Sequence, residues 1–158
     1  MKNQKTLFVA RAALIAALYV AFAVLLPSNG VIQLRVAEAL TVLPVFTPAA
    51  VPGLFIGCII GNILSGCVIW DVVFGSLATL IGALGTYFLR SHRFLSLIPP
   101  IAANTVIVPF VLAYAYGAEG TIPFFMLTVG IGELLSCGVL GFLLRTVLEK
   151  YGKKIRWN

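Results

Sequence analysis

Charge is what this chain has least of. Only 10% of its 158 residues are charged and five are acids, against 61% hydrophobic residues and a mean hydropathy of +1.08. That shortage excludes an ordinary soluble domain, because apolar runs of about 18 or more residues recur along the whole length, which no soluble core needs. Hydrophilic linkers and low-complexity tracts are absent too, so residues 1–158 read as a single membrane-embedded domain and any energy-driven machinery must reside elsewhere. The sequence has no Gly-rich phosphate loop with Lys and Ser or Thr, no H-E-x-x-H, no G-x-S-x-G and no Cys paired with a His. Neither ATP hydrolysis nor ordinary hydrolase chemistry has residues to run on, and no enzyme activity is expected. The three cysteines, Cys58, Cys67 and Cys137, lack paired metal-ligand spacing and read as small packing residues, so neither a metal nor a cofactor is expected. The single histidine, His92, lies between Arg90 and Arg93 and reads as a solvated loop residue.

What is present is a series of apolar runs. They predict an all-α integral membrane protein of six helices: about Leu7 to Leu26, a short second run from Leu34 to Phe46, then Gly53 to Ser65, Trp70 to Leu89, Leu97 to Tyr114 and Pro123 to Leu148. Pro27-Ser28-Asn29-Gly30 forms the first turn, and Pro48 and Pro52 bracket a later one. The first run follows Lys2 and Lys5 like a signal peptide, yet it is long for one and reads as a retained helix. At 1.5 Å per residue the second run covers only about 20 Å of a roughly 30 Å hydrocarbon core, so it must be thinly inserted, lengthened by its flanks or surrounded by protein.

The net charge of +6 does not point to nucleic acid, since the basic residues sit at the ends of apolar runs. With six spans, Lys2, Lys5, Arg11, Arg90, Arg93, Arg145, Lys150, Lys153, Lys154 and Arg156 fall on one side, leaving Arg35 as the exception among 11 basic residues. The preference of Lys and Arg for short cytoplasmic segments then predicts a multi-pass plasma-membrane protein with both termini cytoplasmic. Glu38, Asp71, Glu119 and Glu133 fall in the outer half.

Those misplaced charges are the candidate site. Arg35 and Glu38, three apart, share a face if the second run is a helix, either as a structural ion pair or as a grip on a polar solute. Glu133 lies about ten residues into the last helix with no base within one turn, so it must be protonated, paired through space, or waiting for a cation or hydrogen-bond donors. Asp71 beside Trp70 is either a helix N-terminal acid or a pocket wall. Asn62 and Asn104 sit inside helices, where an amide normally bridges to a neighbour. Tyr114, Tyr116, Phe124 and Phe125 form an aromatic belt at the outer ends, and with Phe74 the rings and acids together suit a flat polar ligand, a cationic one included. Two small-xxx-small pairs, Ala12/Ala16 and Ala13/Ala17, make a smooth strip for helix packing, within this chain or against a partner, and Gly53, Gly57 and Gly61 make a second strip for internal packing.

The segment Ile32-Gln33-Leu34-Arg35-Val36-Ala37-Glu38-Ala39-Leu40-Thr41-Val42-Leu43-Pro44, following an alanine-rich first helix, resembles the signature of QueT transporters, and the likeness spans nearly the whole chain. The resemblance implies a substrate-binding S component of an energy-coupling factor (ECF) importer, a six-helix bundle that takes a queuosine precursor (7-aminomethyl-7-deazaguanine, queuine or queuosine) from outside. A transmembrane coupling subunit and two ATPase subunits would drive release, with the alanine pairs as the docking strip. It implies a pocket in the outer half, capped by the loop after helix one. Glu133 would hold the base edge, Glu38 or Asp71 the amine, Asn104 or Asn62 the carbonyl or ring nitrogen, and Trp70, Phe74 or Tyr114 the ring face. Competing readings are another vitamin or nucleobase as cargo, a membrane enzyme, a structural subunit, or a self-contained channel or secondary transporter.

Overall fold

The computed structural model describes residues 2–26 and 34–151. Among these there is no strand; six helical passes follow one another, α1 Lys2–Leu25, α2 Val36–Val45, α3 Ala50–Leu64, α4 Ile69–Phe88, α5 Ile98–Tyr114 and α6 Ile122–Tyr151. Four of them, α1, α4, α5 and α6, are long and apolar enough to cross a bilayer, and α2 and α3 are shorter. The predicted turn at Pro27, Ser28, Asn29 and Gly30, together with Ile32, Gln33, Lys153, Lys154 and Arg156, lies outside the described residues.

The order of the runs agrees with the sequence reading, and the departures have local causes. Helix α3 starts before Gly53 because Pro52 sits in its first turn, where the missing N–H would have had no helical partner anyway. Pro99 and Pro100 occupy the first turn of α5 for the same reason, after a short 3-10 turn at Leu95–Leu97. The second run is a 3-10 helix rather than an α-helix, with Pro44 inside it. Ten residues at about 2.0 Å rise span about 20 Å, and every residue from Ala37 to Pro44 is buried. Surrounding protein, not lipid, is therefore what accommodates this short pass.

Close approach of α1 to α3 builds the seam beside it. A Cβ added at Gly53 would lie 2.7 Å from the Ala12 carbonyl oxygen, and one at Gly57 would lie 2.8 Å from the Tyr19 Cβ and 3.0 Å from the Ala16 Cα. Gly61 likewise meets Ala23. The contacts climb together along both helices, so α1 and α3 run parallel, with α2 descending between them. Ile15, Tyr19, Leu40, Leu43, Leu54 and Ala83 fill the core where α1 to α4 meet. On the other side Gly82 of α4 packs on Pro100 of α5, fixing that pair as antiparallel.

This alternation brings the start of α1, the end of α6 and the Arg90–Arg93 connection to one end of the bundle. The charges there interlock. Arg145, which reads from sequence as a topological charge, is buried: its Nε donates to Glu149 Oε1 at 2.7 Å, Nη1 to Ser96 Oγ at 2.7 Å and to the Arg93 carbonyl at 3.1 Å, and Nη2 to the Arg90 carbonyl at 3.3 Å. Arg93 completes the cluster with Glu149 at 3.2 Å and stacks over Phe142.

Candidate functional site

At the opposite end, and reaching inward from it, lies a second polar cluster. Its outer tier begins with Arg35, which stands in extended backbone just before α2 (φ −103°, ψ 95°) and not on a helix. The expected Arg35–Glu38 helical pair is accordingly not formed: among the described residues no ion pair joins them, and Arg35 Nη2 donates to Asn62 Oδ1 at 2.6 Å instead. Asn62 in turn donates to the Asp71 carbonyl at 3.3 Å, and the Tyr116 hydroxyl donates to Asp71 Oδ2 at 3.0 Å. Val68 N–H reaches the same hydroxyl at 3.4 Å, so the α5–α6 connection is tied to the start of α4. Asn62 thus forms the interhelical bond expected of it. Tyr116 leaves the aromatic belt for this polar role, and burial, followed by the neighbouring Asp71, raises its phenol above the ordinary range.

The inner tier is built around two acids. Glu38 is 0% exposed and Glu133 1%. Tyr19 of α1 donates to Glu38 Oε1, and Thr79 of α4 lies 3.3 Å from the same oxygen, though its single hydroxyl proton is also within reach of the Gly75 carbonyl and Cys58 Sγ. Thr41, one 3-10 turn after Glu38, donates to the Glu38 carbonyl at 2.6 Å and touches Cys137 Sγ at 3.4 Å. Cys137 donates to Glu133 Oε2 at 3.1 Å. Glu133 and Cys137 are four apart at a change of winding, since α6 turns from α to π geometry over Leu134–Leu140 before resuming at Gly141–Tyr151. Such π segments widen the helix and redirect side chains, often at functional sites. A ligand-capable atom of each of Glu38, Glu133 and Cys137 lies within 4.8 Å of the others.

Several atoms here are buried without a hydrogen-bond partner: Glu38 Oε2, Asp71 Oδ1, Ser76 Oγ, Ser136 Oγ and both Nδ2 and Oδ1 of Asn104. Asn104, 0% exposed, faces Glu133 without closing a bond to it, so the interhelical bridge expected of this amide is not made. Leaving a buried polar group unpaired costs about 1–3 kcal/mol, so the free Glu38 Oε2 and the unpartnered Asn104 amide beside Glu133 make this cluster the candidate site.

The expected aromatic contributors stand elsewhere. Trp70 and Tyr114 are 57% and 78% exposed, and with Phe74, Val106 and Phe110 they line a groove of about 410 Å³ on the flank between α4 and α5. Trp70 stacks on Phe74 and Phe110 on Tyr114, and no acid or amide lines the groove. With no charge or amide, and only the Trp70 indole and Tyr114 hydroxyl as polar groups, it has little with which to orient a polar solute, so the polar cluster, not the groove, is the candidate site. The alanine pairs are divided as well: Ala12 and Ala16 face α3, whereas Ala13 and Ala17 are exposed beside Leu14 and Leu18. Tyr19, Thr41, Thr79, Ser136 and Cys137 were not selected from the sequence. The i, i+4 spacing of Glu133 and Cys137 was the available signal for the last of them.

No curated protein and no solved structure matches the chain. A model of the QueT transporter family does, over residues 9–150, and those residues contain α2 with Glu38, the amide of Asn104 and the winding change after Glu133. This multi-pass membrane chain, with its buried and half-satisfied polar cluster, belongs to the QueT transporter family.

Proposed function

We propose that this chain is the substrate-binding S component of an ECF importer, one transmembrane domain over residues 1–158 that takes a queuosine precursor and catalyses no reaction itself. It resides in the plasma membrane with both termini cytoplasmic, which agrees with the shared end of the bundle that carries Lys5, Arg11, Arg90, Arg93 and Lys150. Membership of the QueT family supports transport. The observation that carries the cargo reading is the set of orphaned polar atoms around Glu38, Asn104 and Glu133.

A 7-deazaguanine presents adjacent N–H donors on its pyrimidine edge, which one carboxylate accepts in a two-pronged bond. Glu133 takes that edge. Asn104, offering both a donor and an acceptor, reads the adjacent carbonyl or ring nitrogen, and the free Glu38 Oε2 or Asp71 Oδ1 faces the amine of the 7-substituent. Asn62, already engaged by Arg35 and Asp71, holds the outer tier in place rather than reading the base. Arg35 serves as the gate residue of that tier. Trp70, Phe74 and Tyr114 stack no base from where they stand; their groove faces lipid. The exposed Ala13/Ala17 strip, not Ala12/Ala16, meets the transmembrane coupling subunit, which together with two ATPase subunits drives release.

The test is a calorimetric titration of the full chain in lipid nanodiscs with 7-aminomethyl-7-deazaguanine, queuine and guanine side by side, paired with thermal stability, since a true ligand stabilises by RT ln(1 + [L]/Kd). Binding of the 7-substituted bases above guanine is expected. Absence of both heat and stabilisation with every deazapurine sinks the cargo reading. Copurification with a coupling subunit tests the S-component role separately.

A further inference from the structure

We propose that Glu38, Glu133 and Cys137 form a binding site for a divalent transition-metal cation of the zinc class. The three residues come from two elements that the chain separates by about a hundred positions and the fold closes together: α2 supplies Glu38, and α6 supplies Glu133 and Cys137 at its change of winding. All three are buried, and their ligand-capable atoms lie within 4.8 Å of one another. Two zinc bonds of about 2.0–2.3 Å span at most about 4.6 Å, so a closure of tenths of an ångström brings all three onto one ion. The Cys137 Sγ to Glu133 Oε2 separation of 3.1 Å already lies inside that reach.

A second and independent observation points to an occupant. Asn104 is 0% exposed, faces Glu133, and has neither its amide nitrogen nor its oxygen partnered. Glu38 Oε2 is likewise free, although Oε1 is held by Tyr19, so the carboxylate is oriented but not consumed. Two acids buried side by side carry more negative charge than the single guanidinium near them can offset, and that guanidinium, Arg35, bonds Asn62 rather than either acid. A dication supplies the missing counter-charge in one step. Two carboxylates and one thiol select a borderline cation such as Zn²⁺ or Co²⁺, because Ca²⁺ and Mg²⁺ require six or more oxygens. Three protein ligands leave a fourth position open, within reach of the Asn104 oxygen or a water.

Binding has a defined proton balance. The ion takes the Cys137 thiolate and the two carboxylates; the thiol proton that Cys137 now donates to Glu133, with any proton shared between the two acids, leaves to solvent, and no electron changes hands. Thr41, bonded to the Glu38 carbonyl and touching Cys137 Sγ, fixes the sulfur on the side facing the acids. Glu38, Glu133 and Asn104 are also the side chains assigned to the deazapurine above, so the ion and that cargo compete for this site.

The experiment titrates Co²⁺ alone into the full-length protein in nanodiscs, after chelator treatment, and follows the visible and near-ultraviolet spectrum. One Co²⁺ per chain is expected, with a thiolate-to-cobalt charge-transfer band that Zn²⁺ abolishes by displacement. Cys137→Ser removes the band, and Glu38→Gln weakens Co²⁺ binding by at least about tenfold. X-ray absorption on the Zn²⁺-loaded wild-type protein needs no variant and is expected to show one sulfur among oxygen or nitrogen neighbours. A shell without sulfur, or Co²⁺ affinity unchanged in both variants, overturns the proposal. A protein that binds a deazapurine but no Co²⁺ refutes the metal site alone, and one that binds Co²⁺ but no deazapurine refutes the cargo alone.

Discussion

Two polar clusters are buried in this bundle, and they differ in whether their hydrogen bonds are complete. Arg145, at the end that carries the α4–α5 connection, gives every guanidinium nitrogen a partner among Glu149, Ser96 and two carbonyls. The Glu38, Asn104 and Glu133 cluster is as deeply buried, yet it leaves an acid oxygen and an entire amide without partners. Burial alone does not distinguish structure from site; completeness does. The first cluster locks helix α6 to a loop, and the open valences of the second are what the proposed ligand reading rests on.

Removing Arg145 is the largest test of that difference. Arg145→Ala removes four charge-assisted hydrogen bonds, leaving the Arg90 carbonyl without this donor and Ser96 Oγ with only the Arg93 carbonyl, at a cost of about 3–5 kcal/mol. Stability in a thermal assay is expected to fall steeply while the affinity of the surviving folded protein for cargo stays unchanged. A matching loss of affinity would erase the division of labour between the clusters.

The mirror experiment is Glu133→Gln. A neutral amide cannot accept two N–H donors as the carboxylate does, so affinity for 7-aminomethyl-7-deazaguanine is expected to weaken by about 2–3 kcal/mol. Stability of the empty protein is expected to hold or rise, because a buried acid with incomplete bonds has been removed. Unaltered calorimetric affinity would take Glu133 out of the site.

The same contrast between filled and open surfaces applies to the two alanine pairs of α1. Ala16 is packed against Gly57, so Ala16→Leu overfills the α1–α3 seam and costs about 1–3 kcal/mol of stability. Ala17 is exposed, so on the proposed reading Ala17→Leu is expected to leave folding and cargo binding intact and to reduce copurification with the proposed coupling subunit. Normal copurification of the Ala17 variant would move the docking surface off this strip.

Most of the fold was legible because a bilayer-spanning helix needs a long apolar run, and the runs ended at Gly, Pro or charge close to where α1 and α3 to α6 end. The geometry inside the runs was not. An apolar stretch of ten residues carries no mark distinguishing α from 3-10 winding, and α2 took the longer rise because it had to bridge the interior. The π segment of α6 is equally silent, since Leu134–Leu140 reads as ordinary membrane sequence. Of the site, the charged members Arg35, Glu38 and Glu133 declared themselves by being expensive in lipid. Tyr19 and Cys137 did not, since both lie inside runs that packing alone explains, and their partner Glu38 is 19 and 99 positions away. Trp70, Phe74 and Tyr114 line a groove apart from the polar cluster, and sequence could not separate the two places, because an aromatic ring near a helix end serves a lipid interface as well as a ligand.

Asp71 stands in the outer tier of the open cluster, at the end opposite Arg145, with Oδ2 bonded to Tyr116 and Oδ1 free. Its tether yields the smallest and sharpest test. Burial and then Asp71 raise the Tyr116 phenol above its ordinary value, so the neutral, donating form is favoured by folding. A raised folded value contributes stability that is complete below the unfolded pKa of about 10 and is lost only as pH climbs through the folded one. Tyr116→Phe is therefore expected to lower stability by about 0.5 kcal/mol, discounted because the side chain is 43% exposed. That offset should remain constant from about pH 6 to about pH 9 in parallel thermal melts of variant and wild type. An offset that shrinks within this interval would show the phenol ionising early, and the tie between the two connections would then be open when the protein works.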